Sequence, residues 1–328
     1  MQGFEYASPV TLREAIALLG PRWGDADILA GGTDLLSLMK DYIHAPKRVV
    51  NIKRIPELNG IARTATGLRI GALVTLDTLA ENATVRSEYP SLVTAALGVA
   101  SQQVRNVGTV GGDLCQRPHC WYFRQGFGLL AKDREGRPLV PQGENRYHAI
   151  FGNSGPAFFT SASSLGPALV ALGAKFRVAG PSGPRDVPAD VFFLTPRKED
   201  ERENALKPDE ILTEILVPPA RSVRNATYEV RQREALDYPL ATASVALRMK
   251  GDTVVSASIV MGQVAPVPWP ANQAAKMLAG KVMKPELLEQ AAAAAVEGAT
   301  PLSQNAYKVQ LAKVAVKRAL HEAAKITA

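Results

Sequence analysis

The 328-residue chain predicts an α+β fold built from an α/β front half and a tail of antiparallel strands and helices. Three observations carry this. Apolar strands alternate with helically spaced segments in the first part of the chain. A hairpin with period-two alternation opens the tail, and three helical stretches close it.

The elements follow in order. In "TLREAIALLG" the residues Leu12, Ala15, Leu18 and Leu19 share one helical face, and Gly20 stops the helix. "ADILAGG" reads as a short apolar strand broken by glycines, and "LLSLMKDYI" resumes with helical spacing. "RVVNIKRI" and "GLRIGALVTL" read as strands. "YPSLVTAALGVAS" starts a helix at its proline and carries small apolar residues for close packing. From Arg124 to Phe158 the chain is rich in Gly, Pro and charge and has no period, so it reads as a long irregular excursion, functional or relic. "LGPALVALGAKFRVAG" restores a helix and a strand. The charged "PRKEDERENALKPDE" leads into "ILTEILVPP", and Pro218-Pro219 make the best domain boundary.

In the tail, "ATYEVRQRE" is a strand candidate. In the hairpin Val245, Leu247 and Met249 alternate with Ser244, Ala246 and Arg248, then Gly251-Asp252 turns the chain, and Val255, Ala257, Ile259 and Met261 alternate on the return. The last helix buries Val309, Ala312, Val316 and Leu320 and leaves Lys308, Lys313 and Lys317 solvated. Nothing in the tail reads as catalytic.

Bulk properties exclude several classes. Hydrophobic residues make up 46% and charged residues 21%, and nowhere do about 18 uncharged apolar residues run together, so no spanning helix is expected. "MQGFEYASPV" lacks the features of a secretory signal. The two cysteines, Cys115 and Cys120, cannot build a four-ligand cage, and their scarcity predicts a reducing, cytoplasmic compartment. The net charge of +7 comes from scattered Lys and Arg without a basic run, so nucleic acid is not expected as a partner.

The chemistry is concentrated in two glycine turns. In "DILAGGTDLL" a strand ends at Ala30, the chain bends through Gly31 and Gly32, and a helix begins near Thr33 or Asp34. Glycines let backbone come against a ligand, and free N–H groups at a helix start attract phosphate oxygens. The same turn is also compatible with an ordinary strand-to-helix connection capped by Thr33 or Asp34. Asp34 cannot itself embrace a phosphate at neutral pH, so a capping or ribose-contacting role suits it. In "NVGTVGGDL", Gly108, Gly111 and Gly112 around Thr109 form a second close-approach loop, and two such loops could grip one diphosphate from both sides. Neither loop matches G-x-G-x-x-G or G-x-x-x-x-G-K-[ST].

"LAGGTDLLSLMK" and "VRNVGTVGGDL", together with "FEYASPVTLREAIALL", "LKPDEILTEILVP" and "REALDYPLATASVAL", resemble the FAD-binding subunit of the molybdenum hydroxylases, the xanthine dehydrogenase and carbon monoxide dehydrogenase family. The resemblance runs over nearly the whole chain. It implies a vanillyl-alcohol-oxidase-type, PCMH-like FAD fold over residues 1–219, with subdomains at about 1–56 and 57–219 and an irregular insertion at about 115–162, followed by a C-terminal flavoprotein domain at 220–328. It implies that Ile28, Leu29, Ala30, Gly31, Gly32, Thr33, Asp34 and Leu35 wrap the FAD diphosphate and that Thr109, Val110, Gly111, Gly112 and Asp113 form the second loop. Asp113 stands where asparagine is frequent. Ser164 takes the place of a family aspartate that contacts FAD, and Leu194 is a flavin-ring contact or a core residue.

"QRPHCWYFR" and "GENRYHAIFG" resemble the two ends of the insertion that carries a [4Fe-4S] cluster in the aldehyde oxidoreductase and 4-hydroxybenzoyl-CoA reductase type. That cluster needs four thiolates, and no cysteine lies between Cys120 and Ser163, so no iron-sulfur cluster and no other metal is expected here; Cys120 reads as a remnant ligand, with His119 and His148 as substitutes. The implied role is electron transfer: no catalytic residues in this chain, FAD as cofactor, a [2Fe-2S] small subunit and a molybdenum-cofactor large subunit as partners, and NAD+, dioxygen or another molecule as acceptor. A self-contained FAD oxidase of a small organic substrate is the alternative.

Overall fold

The computed structural model describes residues 1–234 and 236–325, so that Ala235, inside the "REALDYP" motif, and the last three residues lie outside the description. Three sheets organise it. The first contains β1 (Glu5–Ala7), β2 (Ala26–Leu29) and β3 (Arg48–Asn51), ordered β1-β3-β2 and all parallel, with α1 (Leu12–Leu18) and α2 (Leu35–Lys40) in the crossovers. Thr11 caps α1, its Oγ1 accepting from the Glu14 amide at 3.2 Å. Ala15, Val50, Ile55 and Leu58 form the small core beneath this sheet.

The second sheet contains β4 (Ile61–Thr64), β5 (Gly67–Gly71), β6 (Lys175–Gly180), β7 (Gly183–Pro188) and β8 (Ile211–Val217), ordered β4-β5-β8-β6-β7. Every neighbouring pair in it is antiparallel. The α/β reading of the front half therefore holds for the first sheet and not for the second. Its helices do not separate successive parallel strands; they gather in one run between β5 and β6. These are α3 (Leu76–Glu81), α4 (Ala83–Glu88), α5 (Pro90–Leu97), α6 (Gln102–Val107), α7 (Val110–Cys115), α8 (Trp121–Arg124) and α9 (Leu165–Ala171); α10 (Ala189–Phe192) follows β7. The helix expected through "SLVTAALGVASQQV" is thus two, broken at Ala100, whose φ is 37°.

The third sheet, ordered β12-β11-β10-β9, is antiparallel and contains β9 (Val223–Val230), β10 (Ala241–Lys250), β11 (Thr253–Gly262) and β12 (Trp269–Pro270). Behind it lie α11 (Asn272–Leu278), α12 (Pro285–Ala295) and α13 (Tyr307–Lys325). The predicted turn at Gly251-Asp252 is present, but a bulge at Arg248/Met249 shifts the register, so Val254 is buried and Val255 exposed. Residues Ala241 to Leu247 are all buried. Val245 and Leu247 pack with Ala312 and Val316 of α13, while Ala246 joins the core that contains Leu165 of α9. A sheet covered on both faces has no solvent side for Ser244, whose hydroxyl instead pairs with that of Thr227 at 2.8 Å.

Lys308 requires a correction. Lys313 and Lys317 reach solvent and pair with Glu289, but Lys308 is 1% exposed. It lies one turn before Ala312 and two before Ala315, on the buried stripe rather than beside it, and the excursion covers it.

That excursion folds around its own cluster of Leu38, Phe123, Leu129, Leu130, Ala157 and Phe159. Glu199, from the charged "PRKEDER" segment, pins it by accepting from the amides of Leu129 and Leu130 at 2.7 and 3.1 Å.

Candidate functional site

The two glycine loops meet. A β-carbon on Gly31 would lie 2.1 Å from the Val107 carbonyl oxygen and 3.1 Å from the Cα of Gly108, so only glycine permits this approach. Gly32 has φ of 80°, a left-handed bend with Leu29 and Leu36 packed beneath it. Between them the loops open onto a cavity of about 400 Å³.

Of the predicted residues, Ile28, Ala30, Gly31, Gly32, Thr33, Asp34, Leu35, Thr109, Gly112, Asp113 and Ser164 line this cavity. Leu29, Val110, Gly111 and Leu194 do not. Leu29 packs under Gly32, Val110 is buried in the front core, Gly111 lies against Ala72, and Leu194 is 43% exposed on the outer surface, its amide bonded to the Glu203 carbonyl.

The loops differ in what their backbone offers. Among the described residues, the amides of Gly31, Gly32, Thr33 and Asp34 have no protein acceptor. In the second loop Val110 donates to Val74 at 2.8 Å, Gly111 to Ala72 at 2.9 Å, Asp113 to the Thr109 carbonyl at 2.9 Å, and Gly112 to the Thr109 hydroxyl at 3.0 Å. Thr109 thus caps α7 with its own side chain.

Neither aspartate acts as a helix cap for its own helix. Asp34 precedes α2 but makes no capping bond. Its carboxylate accepts from Arg124 Nη2 at 2.6 Å and from the Arg117 amide at 2.9 Å, which ties the first loop to the insertion and offsets a negative charge beside the cavity. Asp113 is 5% exposed and caps α9 from a distance: it accepts from Ser163 Oγ at 2.5 Å, the Leu165 amide at 3.0 Å, the Ser164 amide at 3.2 Å and Gln116 Nε2 at 3.0 Å. Both its oxygens accept two bonds, which an asparagine amide could not do. Burial pushes its carboxyl up from the ordinary value. Through these bonds the second loop holds Ser164 at the cavity wall.

Three further groups of wall residues lie outside the two glycine loops, two of them within the "QRPHCWYFR" and "REALDYP" stretches that carry the resemblance. The charged linker supplies Arg202, Glu203 and Asn204, and Arg202 lies over the Trp23 ring at 4.2 Å. The insertion supplies Arg117 and His119, with Arg117 bonded to Glu203 at 2.8 Å. The tail, in which nothing reads as catalytic, supplies Leu236, Asp237, Tyr238 and Pro239. Leu236 has φ of 58° and donates its amide to the carbonyl of Ala100, itself left-handed, so two strained residues clamp this end of the cavity. The Tyr238 hydroxyl and His119 Nε2 share a hydrogen bond at 2.8 Å, the same hydroxyl lies 3.3 Å from Gln116 Oε1, and the two rings are 4.4 Å apart. Desolvation and the nearby Arg124 charge pull His119 down to about 4 against the opposing pull of the Asp34 carboxylate, 3.8 Å away.

The insertion's remaining donors diverge. His148 Nε2 lies 3.2 Å from Cys120 Sγ, while His119 faces Tyr238. Burial pushes the Cys115 thiol up to about 12 and raises that of Cys120. Among the described residues no three His, Cys, Asp or Glu side chains converge as a metal site.

A strand-to-helix glycine loop with free amides, facing a cavity walled by a second glycine loop and by a sheet-and-helix domain, defines a nucleotide-cofactor protein without a Rossmann fingerprint. The family comparisons give the class. Residues 2–220 match the FAD binding domain in molybdopterin dehydrogenase, and residues 226–323 match the CO dehydrogenase flavoprotein C-terminal domain. The chain is 34% identical over 324 residues to the carbon monoxide dehydrogenase medium chain of Hydrogenophaga pseudoflava, covering 98% of this chain and 96% of that one. It is 33% identical over 330 residues to the aldehyde oxidoreductase FAD-binding subunit PaoB of Escherichia coli, covering 98% and 99%. Among solved structures, carbon monoxide dehydrogenase from Hydrogenophaga pseudoflava superposes with a TM-score of 0.78 at 31% identity, over 98% of this chain and 97% of that one. Quinoline 2-oxidoreductase from Pseudomonas putida 86 gives 0.77 at 27% identity, over 99% and 98%. The chain belongs to the FAD-binding medium subunits of the molybdenum hydroxylase family.

Proposed function

We propose that this chain carries FAD as the electron outlet of a multi-subunit molybdenum hydroxylase, taking electrons from a [2Fe-2S] small subunit while the organic substrate is oxidised on a molybdenum-cofactor large subunit. The observation that carries this is the row of acceptor-free amides from Gly31 to Asp34 beside the cavity. These donors fit a diphosphate, and Gly31 lets the second loop close on it without a side chain between. Thr109, Gly112, Asp113 and Ser164 complete the wall, the fixed network behind Asp113 holding them in place. Arg124 holds the Asp34 carboxylate away from the phosphates. Leu194 fits a surface role better than a ring contact.

When bound, FAD accepts electrons and releases them singly or in pairs. The chain's own part is to bind it, orient it and shield it; no side chain is assigned a catalytic role. The reading also takes the two front sheets as the paired subdomains of a vanillyl-alcohol-oxidase-type fold. It places the protein in a reducing, cytoplasmic setting on its two free thiols, and leaves NAD+ or another small molecule as the acceptor. Among the described residues no helix is long and apolar enough to cross a membrane.

The test is purification of the intact complex. One FAD per copy of this chain, co-eluting with iron-sulfur and molybdenum subunits, is expected. A colourless chain that takes up no FAD would overturn the reading, and flavin reduction by a small alcohol without partners would favour the self-contained oxidase.

A further inference from the structure

The insertion builds a second cavity. Its volume is about 180 Å³, below the roughly 300 Å³ at which drug-sized pockets begin, so it has room for one substituted ring and not for a nucleotide. Trp121, Tyr147, Phe159 and Tyr238 supply aromatic wall, with Trp121 and Tyr147 edge to face at 5.5 Å. Tyr238 and His119 belong to both cavities, so the second lies directly behind the wall of the first.

Its charge is unusual. Lys308 lines it, 1% exposed, and its Nζ donates to three backbone carbonyls: Gln263 at 2.6 Å, His148 at 3.1 Å and Tyr147 at 3.2 Å. These bonds use all three of its protons but supply no negative charge. Among the described residues no carboxylate forms an ion pair with Lys308; the wall's one carboxylate, Asp237, stands on the side shared with the first cavity. The other titratable neighbours do not offset the charge either: His119 and His148 are held neutral, and burial disfavours the Cys120 thiolate. A buried, uncompensated ammonium is costly, and the cost is relieved either by losing the proton, towards which burial already pulls Lys308, or by an anion brought to it.

The neighbouring backbone is also set for this place. Gln263 has φ of 57°, a left-handed conformation that is strained for a side-chain-bearing residue, and its carbonyl is the closest acceptor of Lys308. Its amide nitrogen donates to the Ser163 carbonyl at 3.2 Å, while its Oε1 is buried without a donor. A cavity wall that keeps strain, an orphan polar atom and an unpaired charge together is a place expected to hold something other than protein.

We infer that the second cavity binds a small aromatic monocarboxylate, its ring against the tryptophan, tyrosine and phenylalanine wall and its carboxylate drawn to Lys308. Rings select for a planar body, and the single buried cation selects for one negative charge. The hydroxyls of Thr160 and Ser161, also in the wall, suit the carboxylate oxygens.

Benzoate is the probe, titrated by calorimetry into the purified chain or complex at pH 6, with benzamide, cyclohexanecarboxylate and acetate as comparisons. Saturable binding of one benzoate per chain is expected, with benzamide and acetate weaker by on the order of 10- to 100-fold. Lys308→Met is expected to remove benzoate binding. Because Lys308 is also a buried structural anchor, Ala162→Phe, which fills the cavity from a wall residue outside the Lys308 network, gives the second arm and the same loss. No saturable benzoate binding, or equal binding of benzoate by Ala162→Phe with its fold intact, overturns the inference, as does benzamide binding as well as benzoate. Flavin content of the unaltered protein is read separately at 450 nm, so failure of the FAD reading and failure of this one are separately visible.

Discussion

The two glycine loops look alike in sequence and do different work. "AGGTD" leaves four consecutive amides free and makes its closest approach to another backbone through Gly31. "TVGGD" bonds its amides inward, to Val74, Ala72 and Thr109, and uses Gly111 to bring α7 against Ala72, the residue that follows β5. In the proposed function the first loop is the ligand surface, and the second is a buttress that fixes where the first loop's partner wall stands. A glycine pair therefore reports close approach, and only the hydrogen-bond inventory says whether the approach is to a ligand or to the protein itself.

Substitutions at the loops separate these roles. Gly31→Val sets a side chain onto the Val107 carbonyl, forcing the loops apart and turning the free amides away from the diphosphate; FAD affinity, measured by flavin titration, should fall at least ~100-fold, with a smaller loss of thermal stability. A comparable loss of FAD from the second-loop variants below would erase the distinction.

Acid should act on the scaffold and not on the first loop's amides, which do not titrate. Burial and the Lys308 charge pull His148 down to about 4 from an ordinary 6.5. Between those values the unfolded chain binds a proton at this residue that the native one does not, so the His148 contribution to stability should fall as pH drops from about 6.5 to 4, by up to about 3 kcal/mol, read as the difference in slope between the unaltered chain and His148→Gln. Lys308, pulled down to about 7 by burial, acts with the same sign at higher pH. The native state loses its proton before the unfolded one, so stability should rise from pH 7 towards 9, and Lys308→Met should flatten that rise.

Gly111→Ala is expected next in size. Its β-carbon would lie 2.9 Å from the Ala72 side chain and 3.0 Å from the Ala72 carbonyl, so melting should report about 1–3 kcal/mol of lost stability while FAD affinity changes by no more than about threefold. Gly112→Ala should do least: its new methyl would meet only the Thr109 hydroxyl, at 3.0 Å, and a change below about 1 kcal/mol in either measurement is expected.

How much of this was legible in the sequence follows the range of the interactions. The first loop, α1, α2 and the β10–β11 hairpin declare themselves because local spacing and glycine placement determine them. The antiparallel order of the second sheet does not, since β5 pairs with β8 across most of the front half and no local period encodes that partner. Tyr238, His119 and Glu203 reach the cavity from the tail, the insertion and a charged linker; Tyr238 and His119 stand in stretches that carry the resemblance, but no local spacing says that they converge here, and nothing marks Glu203. Leu194 was placed by resemblance alone. Lys308 was misplaced by residue type, although its spacing from Ala312 and Ala315 already put it on the buried stripe. The insertion had no period to read because its core is assembled from α2, α8 and residues 129–159 together.

Competition against bound FAD by ADP and by adenosine tests the assignment of the diphosphate to the first loop most directly. The two competitors differ only in the charged oxygens that the Gly31–Asp34 amides are held to recognise, so ADP should bind at least ~100-fold more tightly than adenosine, and Gly31→Val should collapse that ratio towards one. Equal binding of ADP and adenosine by the unaltered protein, or a ratio untouched by Gly31→Val, would contradict the account.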